Sequence, residues 1–255
     1  MRNKKKIKVC FSPAVFQYYK DSNTIAVVID TLRATSSICA AFQNGVEKLI
    51  PVKTIDEARE YKKKGFIVAA ERDGYVLDFA DFGNSPFNFT EESVKGKTIV
   101  YSTTNGTQAI QMAESCYMVV IGSFLNLSYL SNWLVEQGRD VLLLCAGWKN
   151  RFNLEDTVLA GAITEKLIAS NNYSTVCDSA VASLDLWSLA KPDIPGYIDK
   201  AAQRTRLREK GLDDVIEFCH TPDSANVIPV LKNGYLVEIK NIDENYDPVE
   251  PVSGK

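Results

Sequence analysis

Four short stretches of the chain gather side chains suited to phosphate chemistry. The first is Asp30-Thr31-Leu32-Arg33, followed by the hydroxyls of Thr35, Ser36 and Ser37. The second is Glu71-Arg72-Asp73-Gly74, the third is Ser102-Thr103-Thr104-Asn105-Gly106-Thr107, and the fourth covers residues 149–156. Together they offer Asp30, Glu71, Asp73, Glu155 and Asp156 as acids, and Arg33, Arg72, Lys149 and Arg151 as cations. Carboxylates can hold a hard divalent cation while guanidinium groups and free backbone N–H groups hold a multiply charged anion. Phosphoryl transfer needs that equipment, because its catalysis is mostly positioning and charge neutralisation. His220 is the single histidine. A zinc site built on several histidines is therefore excluded, and a Ser-His-Asp triad is open only if His220 serves it. Any metal must rely mainly on oxygen ligands, which points to Mg²⁺ or Mn²⁺.

Each cluster follows an apolar run. Residues 24–30 are β-branched and predict a buried strand, and residues 34–43 are apolar at helical spacing and end on Asn44-Gly45, a helix stop. Further strands are predicted at 7–11, 48–52, 66–70, 97–101, 117–121 and 140–145, and helices at 55–64, 108–114, 127–137 and 155–170. The alternation predicts a three-layer α/β/α fold around a mostly parallel sheet. Ligands bind such sheets at the carboxyl ends of the strands, and in a parallel sheet all four clusters lie on one edge. Residues 75–92 have no clear period and are too long for an idle connection, which makes Asn84 and Ser85 candidate site residues. The last third reads as helices at 179–189, 197–210 and 212–219. A closing hairpin follows at 227–231 and 235–239, around the turn pair Asn233-Gly234. One domain over 1–240 is expected, with 179–220 as a sub-lobe or lid and a frayed acidic tail from 241.

Every candidate also has a plain structural use. Asp30 or Thr31 can cap the helix that follows, and so can Thr103 or Thr104. Asp156 lies three residues after Asn153 and can complete a capping box instead of holding a metal. Glu71-Arg72-Asp73-Gly74 can be a simple turn, and Lys149 and Arg151 can be solvated charges. The case for a site rests on convergence of the four clusters, since no one of them is specific.

Composition narrows the class. With 255 residues, 45% hydrophobic and 24% charged, the chain is an ordinary globular one. A net charge of −3 gives no nucleic-acid footprint, and no apolar run is long enough to span a membrane. The basic start is too short in its apolar part for a signal peptide. Six cysteines stand far apart, mostly within apolar runs, and read as buried thiols of a reducing cytoplasm. The phosphate loop GxxxxGK[ST] and the dinucleotide turn GxGxxG are both absent. A nucleophilic Asp of the haloacid-dehalogenase kind requires a second Asp two residues on, where Leu32 stands.

Several strings match a known family. Residues 30–36 (DTLRATS), 70–74 (AERDG), 82–86 (FGNSP), 96–107 (GKTIVYSTTNGT), 122–126 (GSFLN) and 145–157 (CAGWKNRFNLEDT) occur in order and at compatible spacing. By these the chain resembles 2-phosphosulfolactate phosphatases, Mg²⁺-dependent enzymes of coenzyme M and sulfolactate metabolism. Trp148, Lys149 and His220 depart from the family pattern. The resemblance implies hydrolysis of 2-phospho-3-sulfolactate to 3-sulfolactate and phosphate. That substrate is a small polyanion, for which arginines and Mg²⁺ are a fitting counter-charge.

The combined expectation is a cytoplasmic Mg²⁺-dependent phosphatase with Asp30, Glu71 and Asp156 as metal-site acids, directly or through water. Asp30, Arg33, Glu71 and Asp156 are expected to be catalytic. Arg72, Asn84, Ser85, Thr103, Thr104, Asn105, Gly106 and Arg151 are expected to bind substrate. In-line attack by a metal-activated water is the simplest scheme, and an aspartyl-phosphate on Asp30 is the other. A homodimer is expected on general grounds. Two other readings compete: a phosphatase for another small phospho-acid, and a non-catalytic anion-binding module of the same fold.

Overall fold

Ile25, Val27 and Ile29 enter one apolar cluster, while Ala26 and Val28 enter another on the opposite side. The same two-residue alternation divides Leu142 and Leu144 from Val141 and Leu143. A strand whose alternate residues feed two cores must lie between two helical layers, because successive side chains point to opposite faces. The computed structural model, which describes residues 4–241, bears out the three-layer α/β/α reading.

The strands are β1 (Lys5–Cys10), β2 (Ile25–Ile29), β3 (Lys48–Pro51), β4 (Ile67–Arg72), β5 (Tyr75–Val76), β6 (Thr98–Ser102), β7 (Met118–Gly122), β8 (Val141–Cys145), β9 (Tyr173–Thr175), β10 (Pro229–Lys232) and β11 (Tyr235–Glu238). The helices are α1 (Ala34–Gln43), α2 (Ile55–Lys63), α3 (Glu91–Val94), α4 (Gly106–Met112), α5 (Leu127–Gln137), α6 (Leu154–Ala169), α7 (Asp178–Ala190), α8 (Ile194–Ile198), α9 (Ala202–Glu209) and α10 (Ile216–Cys219). One face of the central strands packs on α1 and α4 through Ile38, Ala41, Ala109 and Ile110. The other packs on α5, α6 and α7 through Leu130, Leu134, Ile163 and Trp187.

The sheet has the order β5-β4-β6-β3-β11-β10-β7-β2-β8-β1-β9. Strands β4, β6 and β3 form one parallel block, and β7, β2, β8, β1 and β9 form another. The expected hairpin is present, with Asn233 at φ 52° and Gly234 at φ 80° in its turn. It closes the sheet from the middle: β11 pairs antiparallel with β3, and β10 antiparallel with β7. Three successive reversals make the two parallel blocks run in opposite senses. The single parallel edge expected for the four clusters is therefore corrected. Their exits still meet, for the Lys149 backbone N–H, after β8, donates to Asn105 Oδ1, after β6, at 2.9 Å. Ordinary sheet twist is sufficient physical means. At about 20–25° per strand, the seven steps from β4 to β8 accumulate a rotation on the order of 140–175°, which offsets the reversal.

Other differences are local. Residues 13–18 form a 3-10 helix, and 75–92 contain β5, a 3-10 turn at Pro86–Asn88 and α3. The stretch 197–210 is broken into α8 and α9 at Asp199–Ala201, and 212–219 is a 3-10 turn running into α10. These last helices hold a small cluster of their own, with Leu207, Val215, Ile216 and Cys219, joined to the rest through Leu32. All six cysteines are unpaired and five are buried. No helix among the described residues is long and apolar enough to cross a membrane. The expected frayed tail lies at 242–255, outside the described residues, and 241 ends a 3-10 turn.

Candidate active site

β2 delivers Asp30 to a cleft at its carboxyl end, where the residue is only 7% exposed. The N-cap residue of α1 is Arg33, without a side-chain cap bond, while Asp30 Oδ1 accepts a long hydrogen bond of 3.4 Å from the Ala34 N–H at the start of α1. Gly106, at the start of α4, allows the approach on the other side. A Cβ there would stand 2.9 Å from Asp30 Oδ2 and 2.6 Å from the Ala34 methyl, so only glycine fits. Arg33 is buried beside Asp30 and lines the same cleft.

Two further acids tie the floor together. Glu71 Oε1 accepts from the Thr104 N–H at 2.7 Å, and Oε2 accepts from the Gly74 N–H at 2.7 Å and the Thr104 hydroxyl at 3.2 Å. Asp156 Oδ1 accepts from the Thr31 N–H at 2.9 Å, and Oδ2 from the Gly147 N–H at 3.0 Å. Asp156 thus joins the loops after β2 and β8 and completes no capping box. Gly147 has φ 62°, and a Cβ there would collide with the Arg151 carbonyl, which closes the turn carrying Trp148.

The remaining expected residues fall into two groups. Asn84 and Asn105 line the cleft with Asp30, Arg33 and Glu71. Asn84 is held by its carbonyl, which accepts from Ser37 Oγ at 2.6 Å, and its buried Oδ1 has no partner. Thr103, Thr104, Ser85, Arg72, Arg151 and Asp156 do not line it. Thr103 Oγ1 accepts from the Thr107 N–H at 3.2 Å in the first turn of α4, whose N-cap is Asn105 with no side-chain cap bond. Thr104 is bonded to Glu71 and to the Asp73 N–H. Arg72 donates to the Glu71 and Lys53 carbonyls and to Ser102 Oγ. Arg151 is exposed, and its backbone pairs with that of Trp148. Ser85 precedes the 3-10 turn at Pro86–Asn88.

A roof covers this floor, supplied by α9 and its C-cap. Gln203, Arg206, Leu207 and Lys210 face the cleft. Gln203 Nε2 donates to the Leu32 carbonyl at 3.1 Å, and Lys210 Nζ donates to the Asp73 carbonyl. Asp73 also pairs with Lys149 at 2.8 Å. No roof residue was expected in the site. The signal was present, though: positions 203, 206, 207 and 210 share one helical face at spacings of three and four.

The electrostatics are those of crowded acids. Burial, then the charges of Asp156 and Glu71, push the Asp30 carboxyl well above the usual carboxylate range. Burial and then the Asp30 charge raise Glu155 to about 7, and burial and then the Glu155 charge raise Asp156 to about 8. Glu155 is 1% exposed, with an Oε1 that has no hydrogen-bond partner. Such a cluster favours a proton or a cation. Among the described residues no three His, Cys, Asp or Glu groups converge into a closed metal site. The arrangement fits a more open one, since Mg²⁺ keeps several waters and takes one or two carboxylates plus substrate phosphate. Asp30, Glu71 and Asp73 are the acids that line the cleft.

The chain matches the family model of the 2-phosphosulpholactate phosphatases over residues 10–234. It is 41% identical over 212 residues to a protein of Thermotoga maritima named "Probable 2-phosphosulfolactate phosphatase", which covers 83% of this chain and 91% of that one. A protein of Caldanaerobacter subterraneus subsp. tengcongensis with the same name is 37% identical over 214 residues, covering 82% and 88%. One of Clostridium acetobutylicum, also so named, is 35% identical over 236 residues, covering 91% and 100%. The chain belongs to the 2-phosphosulfolactate phosphatase family.

Proposed function

Taking that membership as the premise, we propose that the chain hydrolyses 2-phospho-3-sulfolactate to 3-sulfolactate and phosphate, with Mg²⁺, in the cytoplasm. The observation that carries this reading is the meeting in one cleft of a buried acid of raised proton affinity, Asp30, and the guanidinium of Arg33, which has no ion-pair partner within 4 Å among the described residues. A phosphate ester needs both an anion partner and a group that exchanges a proton with water or with the leaving oxygen.

Asp30 and Glu71 would hold the cation, with Asp156 acting behind them through its two backbone bonds. Bound there, Mg²⁺ would neutralise phosphoryl oxygens as charge develops on them. Arg33 binds the phosphate from the floor. Asn84 and Asn105 orient the ester from the sides. Asp30 is the acid of the cluster that faces the cleft most freely, and so the one placed to take the proton of an attacking water. The roof limits entry of further water, which strengthens each of these charge interactions.

Asp30→Asn tests the assignment. It keeps the size of the side chain and removes its charge and basicity. Retained folding with turnover lowered roughly 10³-fold or more is expected, by the scale of general-base and charge effects. Near-normal turnover returns Asp30 to a structural role. Acid quenching during turnover separates the two chemical schemes. Labelled phosphate retained on Asp30 would replace direct attack by water with an aspartyl-phosphate.

A further inference from the structure

Helix α9 carries three arginines, and their surroundings differ. Arg204 and Arg208 are four residues apart and share a face. Arg204 Nη1 lies 2.9 Å from Asp213 Oδ2, and Arg208 Nη2 lies 2.5 Å from Asp199 Oδ1. Arg206 sits about 200° round the helix from each of them, at 100° per residue. It faces the cleft, half-buried, and has no ion-pair partner among the described residues.

Its position is nevertheless fixed. Nε donates to Gln203 Oε1 at 2.8 Å, and the guanidinium carbon lies 4.6 Å from the centroid of the Trp148 ring. Gln203 is fixed in turn by its bond to the carbonyl of Leu32, the residue just before Arg33. With Nε used and the plane held over the indole, both Nη groups are left to offer a flat two-pronged edge. Carboxylate and sulfonate oxygens match that edge, as phosphate oxygens do. The floor already supplies Arg33 for one anion. A second oriented guanidinium on the roof suits a ligand that carries a second anionic group.

We infer that Arg206 is the specificity-determining residue of the cleft. It takes the second anionic group, a carboxylate or sulfonate, of a phospho-acid whose phosphate lies on the floor. The inference rests on the phosphatase reading above and adds which residue makes the enzyme demand an acid-bearing ester. A purely structural Arg206 would pin the roof to Trp148 and lend its charge to the buried Glu155.

The test uses the full chain with Mg²⁺ and the variants Arg206→Gln and Arg206→Lys. Steady-state kinetics are taken on 2-phospholactate and on isopropyl phosphate, which differ by one carboxylate. In Arg206→Gln the ratio of kcat/KM for the acid over the neutral ester is expected to fall roughly 10- to 100-fold, mainly through KM, as befits loss of a charged hydrogen-bonding partner. Arg206→Lys restores part of the ratio, since it keeps the charge but not the planar fork. An equal fall for both esters, or no change in the ratio, would overturn the inference. Calorimetric titration with 3-sulfolactate and with inorganic phosphate decides the matter without turnover. The variant is expected to lose affinity for sulfolactate at least tenfold relative to phosphate, and an unchanged ratio of the two affinities contradicts the assignment. If the wild type turns over neither ester, the phosphatase reading fails while the titration still judges Arg206.

Discussion

On the floor of the cleft, Glu71 and Asp156 accept hydrogen bonds from the backbone N–H groups of Thr104, Gly74, Thr31 and Gly147. On the roof, Arg206 and Lys210 extend from α9 and its C-cap, which pack through Leu207 into the small cluster formed with the neighbouring C-terminal helices and Leu32. Floor acids are built into the turns that carry them, so altering one disturbs geometry and chemistry together. Roof cations meet the cleft only through their side-chain ends, so altering one should change which ligand is held and leave the sheet alone. The floor is where bonds are made and broken, and the roof is where the ligand is chosen.

The sharpest way to break this contrast is to remove the floor guanidinium. Arg33→Gln should lower kcat/KM roughly 100- to 1000-fold for acid-bearing and neutral phosphate esters alike, since a buried charge contact to the common phosphate is lost. Steady-state kinetics on both esters check it. A loss confined to the acid-bearing ester would move the phosphate to the roof and reverse the two roles.

Next in size is Asp156→Asn. The amide oxygen can accept from only one side of the gap, so either the Thr31 or the Gly147 N–H is left unpaired. A stability loss of about 1–3 kcal/mol is expected from one unsatisfied buried donor, with activity lowered as well. Denaturant unfolding of the variant measures it. Unchanged stability would show that Asp156 is not the tie between the two loops.

A smaller effect concerns pH. Glu155 and Asp156, raised to about 7 and about 8, hold their protons in the folded chain after the unfolded chain has released them. The folded state therefore binds more protons, and stability falls as pH rises. Their contribution is fully present below the ordinary carboxylate range, about pH 4, and is lost by pH 8 to 9. Thermal unfolding in EDTA should show a melting temperature that declines from pH 5 to 8.5, less steeply in Glu155→Gln. Saturating Mg²⁺ should offset part of the decline. A flat profile in EDTA would mean that the acids are not crowded as described.

Much of this was legible in the sequence, and the misses have physical reasons. Helices α1 and α5 span the residues predicted for them, and α1 ends at the Asn44-Gly45 stop. Asp30, Arg33, Glu71, Asn84 and Asn105 reach one cleft, although they are up to 75 residues apart. The hairpin was legible from Asn233-Gly234, but its insertion at the centre of the sheet was not. Strand order depends on long-range pairing that a turn signal does not encode. Local polarity also could not say which hydroxyls remain free. Thr103 and Thr104 are taken by Thr107, Glu71 and Asp73, and only the folded neighbours reveal that. The roof was open to inference from the helical face 203, 206, 207 and 210. Arg204 and Arg208 interleave with that face and give the segment the charge pattern of a uniformly solvated helix.

The most direct measurement is phosphate release by the wild-type chain from 2-phospho-3-sulfolactate, with Mg²⁺ and again with EDTA, beside phosphoglycerate and phospholactate. Selective release that EDTA abolishes is the expected result. Release from none of the three by folded, Mg²⁺-supplied protein would contradict the assignment and leave a module that binds anions without cleaving them.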